Sequence, residues 1–381
     1  MNRAGTAVGV LLWEVARWFW SGSGSSWIIG LALLAVSMIR PENDLLRVLK
    51  GEPRLGGELR HVDTRGYYEE LIDAGGLSRR DPAPDAPPPE WVPFGASGII
   101  EPVPTYLRWR MKPNLDMTWN GVSFKTNSRG YRTPEVSLKK AEGVYRIVVF
   151  GSSNTMGHGV GDDDAYPRIL ERWLNGLEGL DRRVEVVNLA VSGESPSRRL
   201  TRMLAEGERY EPDWILCDAT ALDPSLEELH LQAIVRSEPP IAIPFEYVSA
   251  ALERAGVSTA DSPRQFESKI RGEAEALLKG AYEGWRDFSV RAGIPMTVVI
   301  IPRADEKRDN PVIHKIMRNS FRHLGLDCLD AHDAFDPLSV DQFRVSPWDK
   351  HPSVLGHRAI FEALRDALLA CGTLPGLRLP D

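Results

Sequence analysis

From residue 146 onward the chain alternates short apolar runs with longer amphipathic stretches. Residues 146–150 (RIVVF), 184–189 (VEVVNL), 214–217 (WILC) and 296–301 (MTVVII) read as buried strands, and 327–330 as a short fifth one. Continuous apolar runs, rather than strict alternation, are what a sheet covered on both faces requires. Residues 166–175, 195–208, 266–292, 311–324 and 354–369 carry apolar side chains at helical spacing. This order predicts an α/β fold, a parallel sheet between two helical layers. Residues 225–265 break the alternation and read as an insertion or lid.

The upstream third has a different texture. No residue between Arg17 and Arg40 is charged, and at about 1.5 Å per residue the window 18–39 spans a hydrocarbon core of about 30 Å. Residues 21–26 (SGSGSS) weaken its start. Residues 7–20 fit a helix lying in the membrane interface with Glu14 and Arg17 in water, and Trp13, Trp18, Trp20 and Trp27 suit that boundary. Residues 1–40 are therefore predicted as an interfacial helix and membrane anchor in contact with lipid. A cleaved signal peptide and a buried helical hairpin are the alternatives. Arg40, Arg47, Lys50 and Arg54 outnumber Arg3 and Arg17, so charge counting alone puts the following segment in the cytoplasm. Residues 41–96 read as a juxtamembrane segment ending in a proline-rich linker at 81–93. Residues 97–143 read as a small β-rich extension, with an alternating run at 122–126 and a turn at 127–130; 144–381 form the α/β domain.

Composition narrows the classes. With 381 residues, net charge −7, 43% hydrophobic and 26% charged residues, the chain is folded and lacks the basic balance that nucleic-acid binding requires. Cys217, Cys328 and Cys371 lie far apart, with neither metal spacing nor a disulfide framework; a single bridge stays open.

Open α/β sheets bind ligands beyond the carboxyl ends of their strands. Four such segments carry suggestive residues: 151–157 (GSSNTMG), 188–193 (NLAVSG), 212–223, and 349–352 (DKHP) before the last helix. Serine is a weak nucleophile without an adjacent base, and the base needs an acid to fix its tautomer. Ser153, His351 and Asp349 supply these three groups, and the N–H groups of Ser153 and Gly193 are candidate oxyanion donors.

Residues 146–160 (RIVVFGSSNTMGHGV), 184–193 (VEVVNLAVSG) and 348–364 (WDKHPSVLGHRAIFEAL) resemble the first, second and last blocks of the SGNH, or GDSL-like, hydrolase superfamily. Residues 120–135 (NGVSFKTNSRGYRTPE) resemble an extension found upstream in its bacterial membrane-anchored members. The resemblance covers about residues 105–372. It implies a flavodoxin-like three-layer domain with Ser153 as nucleophile, His351 as base and Asp349 as orienting acid, without metal or cofactor. It further implies an esterase or acyltransferase acting on an O-acylated, mainly O-acetylated, carbohydrate on the extracytoplasmic side of a bacterial inner membrane. Three departures stand out. Ser152 replaces a commoner aspartate, and Trp348 takes the place three before the histidine where many members keep the acid. Leu222 stands where the third block ends in an oxyanion-donating asparagine, a group worth roughly 3 kcal/mol in other enzymes; Thr220 is the candidate substitute. Leu222 and the tryptophan-rich start motivate a second reading, a catalytically impaired subunit packed in a membrane complex.

The remaining candidates read as structural. His158 and Asp162–Asp164 fit a solvated loop capping the next helix better than a metal site. Arg129 and Arg132 read as surface turn residues, with anion binding the alternative; His357 reads as a helix residue and Cys217 as core. His230, His314, His323 and His332 show no ligand spacing.

Overall fold

The computed structural model describes residues 87–304 and 311–380, all within one compact unit spanning 54–381. The predicted anchor at 1–40 and most of the juxtamembrane segment lie outside the described residues. No described helix is long and apolar enough to cross a membrane.

Two antiparallel hairpins open the described chain. Strands β1 (Ile100–Pro102) and β2 (Trp109–Met111) pair, as do β3 (Asp116–Trp119) and β4 (Val122–Lys125). The second hairpin turns on Asn120–Gly121, both at positive φ (47° and 85°), the geometry that asparagine–glycine turns favour. Five parallel strands follow: β5 (Val144–Phe150), β6 (Arg183–Asn188), β7 (Trp214–Ala219), β8 (Met296–Ile300) and β9 (Asp327–Asp330). Their order in the sheet is β6-β5-β7-β8-β9, the flavodoxin-like arrangement, so the strand order reverses beside β5. The helices are α1 (Ser153–Met156), α2 (Tyr166–Asn175), α3 (Pro196–Glu206), α4 (Asp223–Val235), α5 (Glu246–Ala255), α6 (Pro263–Ile270), α7 (Ala274–Ala292), α8 (Pro311–His323), α9 (Val340–Phe343) and α10 (Val354–Cys371). A two-residue-per-strand hairpin, β10 (Thr373–Leu374) with β11 (Leu377–Arg378), ends the chain; its strands are too short to leave a periodic signal.

Successive strand residues point to opposite faces. Val148, Phe150, Ile215, Cys217 and Val298 pack with Leu200 of α3, Trp285 of α7 and Phe321 of α8. Ile147, Val149, Leu216 and Val299 pack with Leu170 of α2 and Ile360 and Leu364 of α10. Two apolar cores thus sandwich one sheet, which is why every central strand reads as an unbroken apolar run.

Two expectations need correction. The helix predicted over 266–292 is two helices, α6 and α7, separated by a 3₁₀ turn at Arg271–Glu273. The cause is a change of partner. Phe266 and Ile270 join a small core with Leu231, Val248 and Ala251 of the insertion, whereas Tyr282 and Trp285 pack on the sheet. Leu277 and Leu278, near the start of α7, fall one on each core, so the partner changes where the two helices meet.

Arg132 is the second. It is neither a surface turn residue nor open to anions: it is 4% exposed and pairs with Asp162 at 2.9 Å. It also donates to the carbonyls of Ser123 (2.8 Å), Val160 (2.6 Å) and Gly157. The turn before it folds inward because Asn127 Oδ1 accepts the N–H groups of both Arg129 and Tyr131 at 3.0 Å. Gly130 sits at φ 80°, and a Cβ there would meet the Met111 carbonyl oxygen at 2.2 Å. Arg132 thereby ties the β3–β4 hairpin to the loop after α1. Phe94, Trp119 and Phe124 share the core of the sheet. The Arg132→Ala chain should lose about 3 kcal/mol of stability, because removing one member of a buried pair strands the other polar groups. Urea denaturation measures this; a loss below about 1 kcal/mol would refute the strut.

Candidate active site

The chain leaves β5 through Gly151. A Cβ there would lie 2.4 Å from the Asp218 carboxylate and 2.5 Å from Thr155 Cβ, so only glycine permits this turn. Ser153 opens α1 and is 3% exposed. Its carbonyl accepts the N–H groups of Gly157 and His158, both at 3.0 Å. Ser152 donates its backbone N–H to Asp218 Oδ2 at 2.9 Å. Thr155 Oγ1 donates to the same oxygen at 2.5 Å. The carboxylate that steadies the turn carrying Ser153 therefore comes from near the end of β7, 65 positions downstream of Ser153 by residue number. Nothing in the local sequence pattern marks it.

Asp218 is itself held. Arg199 lies 3.1 Å from it and 2.8 Å from Asp223, which accepts the Tyr282 hydroxyl at 2.8 Å. Burial raises the Asp218 pKa, and Arg199 opposes that rise.

Asp349 and His351 share the loop before α10. Asp349 Oδ1 lies 2.6 Å from His351 Nδ1 and also accepts the His351 backbone N–H at 3.1 Å. The two-residue spacing makes this double contact possible; Trp348, before Asp349, is half-buried. The loop is pinned by Val345 N–H to the His351 carbonyl (2.9 Å) and Ser346 N–H to the Asp349 carbonyl (3.1 Å). Ser353 then caps α10 by accepting the Gly356 N–H.

His158 corrects the expectation of a solvated loop. It is 1% exposed, and its ring stacks on that of His351 with centroids 3.8 Å apart and planes 15° apart. Its Nε2 lies 3.5 Å from Asp349 Oδ2. The edge of Trp119 meets it at 4.6 Å, with Phe94 at 6.0 Å, so the upstream extension covers this loop. His158 joins the two halves of the site: its N–H holds the Ser153 carbonyl and its ring rests on His351. The available signal is local, a histidine between two glycines, both of which adopt positive φ (89° and 77°). Asp162 likewise does not cap α2, whose N-cap is Ala165; it serves Arg132 and the Lys125 N–H.

The loop after β6 lies along the nucleophile turn, with Leu189 N–H bonded to the Val149 carbonyl (2.8 Å) and Val191 N–H to that of Gly151 (3.2 Å). Gly193 takes φ 72° at its end. Thr220 Oγ1 accepts the Leu222 N–H at 3.0 Å, which leaves its hydroxyl proton available to donate. Leu222 is buried at the start of α4 and offers no side-chain donor.

His158, Asp349 and His351 each offer an atom within 4.8 Å of the others. A metal ion lies near the plane of every imidazole that binds it, and two nearly parallel rings stacked at 3.8 Å share no such point. The arrangement fits two histidines flanking one carboxylate, not a tetrahedral cation. Elsewhere, His314 and His332 both lie against Asp330 (3.0 and 3.5 Å), His357 Nδ1 accepts the Tyr166 N–H, and all three cysteines are free.

No family model matches the chain, and no curated protein does. Solved structures do match at a distance. An α/β hydrolase from the Lake Arreo metagenome is 16% identical over 62% of this chain and 99% of its own, with TM-score 0.40. A two-domain esterase active on acetylated mannans is 12% identical over 62% of this chain and 51% of its own, with TM-score 0.38. A catalytic mutant of an acetylxylan esterase from Geobacillus stearothermophilus is 15% identical over 60% of this chain and 95% of its own, with TM-score 0.38.

Burial alone would raise the Asp349 pKa, but His351 and His158 outweigh it and hold the carboxyl well below its ordinary range. A depressed carboxyl pKa stabilises the fold fully above the unfolded value of about 3.9 and loses that contribution as pH falls toward the folded value. Unfolding free energy should therefore drop on acidification below about pH 4, and Asp349→Asn should flatten part of that slope. Parallel pH profiles of wild type and variant between pH 5 and 2 would contradict the assignment.

Proposed function

We propose that this chain is a serine esterase or acyltransferase that works through an acyl-enzyme on an O-acylated, mainly O-acetylated, carbohydrate. One observation carries the reading: the buried Asp349–His351 hydrogen bond of 2.6 Å, stacked through His158 against the turn that begins with Ser153. Ser153 Oγ attacks the ester carbonyl while His351 Nε2 takes its proton. Asp349 holds the Nδ1–H tautomer and stabilises the imidazolium. The tetrahedral oxygen is met by the N–H groups of Ser153 and Gly193 and by the Thr220 hydroxyl. His351 returns its proton to the leaving sugar oxygen. Water or a second sugar hydroxyl then attacks the acyl-enzyme by the same path, so hydrolysis and transfer differ only in the acceptor. The carbohydrate and the extracytoplasmic location rest on the family resemblance of residues 120–135 and of the motif blocks, and the lipid contact of residues 1–40 on their uncharged, tryptophan-rich window.

A second reading, an impaired subunit of a membrane complex, has one specific support: Leu222, buried where a third side-chain donor would stand. One experiment separates the two. Wild-type protein should label with a fluorophosphonate at Ser153 and turn over 4-nitrophenyl acetate; Ser153→Ala should abolish both, and Asp349→Asn should lower kcat by roughly 10⁴-fold. An unlabelled wild type that co-purifies with a stoichiometric membrane partner would reject the enzyme and favour the subunit.

A further inference from the structure

Helix α3 carries three buried arginines, and two of them have their own acids. Arg199 pairs with Asp218 and Asp223, and Arg202 pairs with Glu194 at 2.5 Å and donates to the Tyr131 hydroxyl at 2.9 Å. Burial pulls both pKa values down, yet the acids outweigh it and both guanidiniums end above their ordinary range. Arg198 is different. It has no exposed surface, and among the described residues no acid lies within ion-pair distance of it. Its Nη1 donates to the Gly193 carbonyl at 3.0 Å, while Nε and Nη2 make no hydrogen bond. Burial drags its pKa to about 9; Glu194 offsets part of the fall, and Arg202 and Arg108 add to it.

A buried charge without a counter-ion costs several kcal/mol. The bare Nε–Nη2 edge of a guanidinium is a pair of parallel N–H groups that matches a carboxylate in bidentate fashion. The neighbours are unsatisfied too. Trp109, whose ring lies 3.8 Å from the Arg198 guanidinium carbon, has no acceptor for its indole N–H. Half-buried Arg108 sits beside it at φ 65°. Across from them His230 of α4 packs on Tyr106 at 4.5 Å with neither ring nitrogen hydrogen-bonded. Glu227 takes the Ser197 N–H through Oε2, and its Oε1 has no partner. Burial, then the fields of Arg198 and Arg108, keep His230 neutral. Buried polar groups are satisfied in the great majority of cases, and five unsatisfied atoms or more around one guanidinium call for a ligand.

We propose that Arg198, with Arg108, Trp109, His230 and Glu227, binds the carboxylate and hydroxyls of a uronic-acid residue, directly beside the Gly193 loop. The carboxylate takes the Nε–Nη2 edge. Sugar hydroxyls, each donor and acceptor at once, satisfy His230 and Glu227. The arm between β1 and β2 carries internal bonds, Val103 N–H to the Arg108 carbonyl at 2.7 Å and Arg108 N–H to the Thr105 carbonyl at 2.8 Å, and is anchored by the Tyr106 hydroxyl, 2.9 Å from Ser197 Oγ; entry of the sugar requires this arm to move. This deepens the esterase reading, rests on it, and narrows its substrate to an acidic carbohydrate.

Calorimetry on the full-length Ser153→Ala chain tests the site without chemistry, using trigalacturonate against neutral galactotriose. The expected result is at least tenfold tighter binding of the acid, lost in the Arg198→Gln double variant and partly kept in Arg198→Lys. If Arg198→Gln fails to fold, Arg108→Gln, at the half-exposed mouth, should weaken the preference about threefold. Equal binding of the two sugars, or a preference unchanged in these variants, overturns the site. Tighter binding of inorganic phosphate than of trigalacturonate overturns the sugar acid as ligand. Turnover of uncharged 4-nitrophenyl acetate by wild type reports the esterase reading separately, so either can fail alone.

Discussion

The carboxylate of Asp218 is the constraint on which the site's geometry depends. It lies next to the last residue of β7, yet it terminates the turn after β5 by accepting Ser152 N–H and the Thr155 hydroxyl. Through Arg199 it reaches α3, and through Arg199 and Asp223 it reaches the start of α4 and Tyr282 of α7. A network of this kind is expensive in desolvation, and its net contribution to stability is small or negative beside an apolar equivalent. What it supplies is position. The loops after β5, β6 and β7 are adjacent because the parallel register makes them so, but register alone leaves loop conformation free. Asp218 removes that freedom at the point where Ser153 enters its helix.

The upstream extension is part of the same construction. Its hairpin contributes Trp119 to the wall around His158, and the turn after the hairpin leads to Arg132, which holds the loop that carries His158. His158 in turn stacks on His351. The orientation of His351 thus leans on residues more than 180 positions earlier, through two ring contacts and one buried guanidinium. The insertion plays the matching role on the other side, where α4 and α5 close a small core of their own against Tyr106. Extension and insertion meet around Arg198, which is why the unsatisfied groups collect there and not over the sheet.

Much of this was legible in the chain. The β5–β9 strands, the parallel order and the two helical layers follow from apolar runs alternating with helical spacing, because burial of both sheet faces leaves that trace directly in composition. Ser153, Gly193, Asp349 and His351 were identifiable because each follows a predicted strand or precedes the last helix, the positions where an open sheet presents side chains.

Other features carried no such trace. Asp218 looks like an ordinary strand residue, Arg132 like a turn residue, His158 like a member of an acidic loop, and residues 266–292 like one helix. In each case the deciding term is a contact with a segment distant in sequence: a shared carboxylate, three backbone carbonyls, a ring stack, a second core. Sequence periodicity reports which face of an element is buried. It does not report what lies across from that face, because pairing among distant polar groups is set only when the layers close. That is why the chain alone determined the fold and named the catalytic candidates, while the tertiary structure decided how they are held and left Arg198, among the described residues, buried with no acid within ion-pair distance.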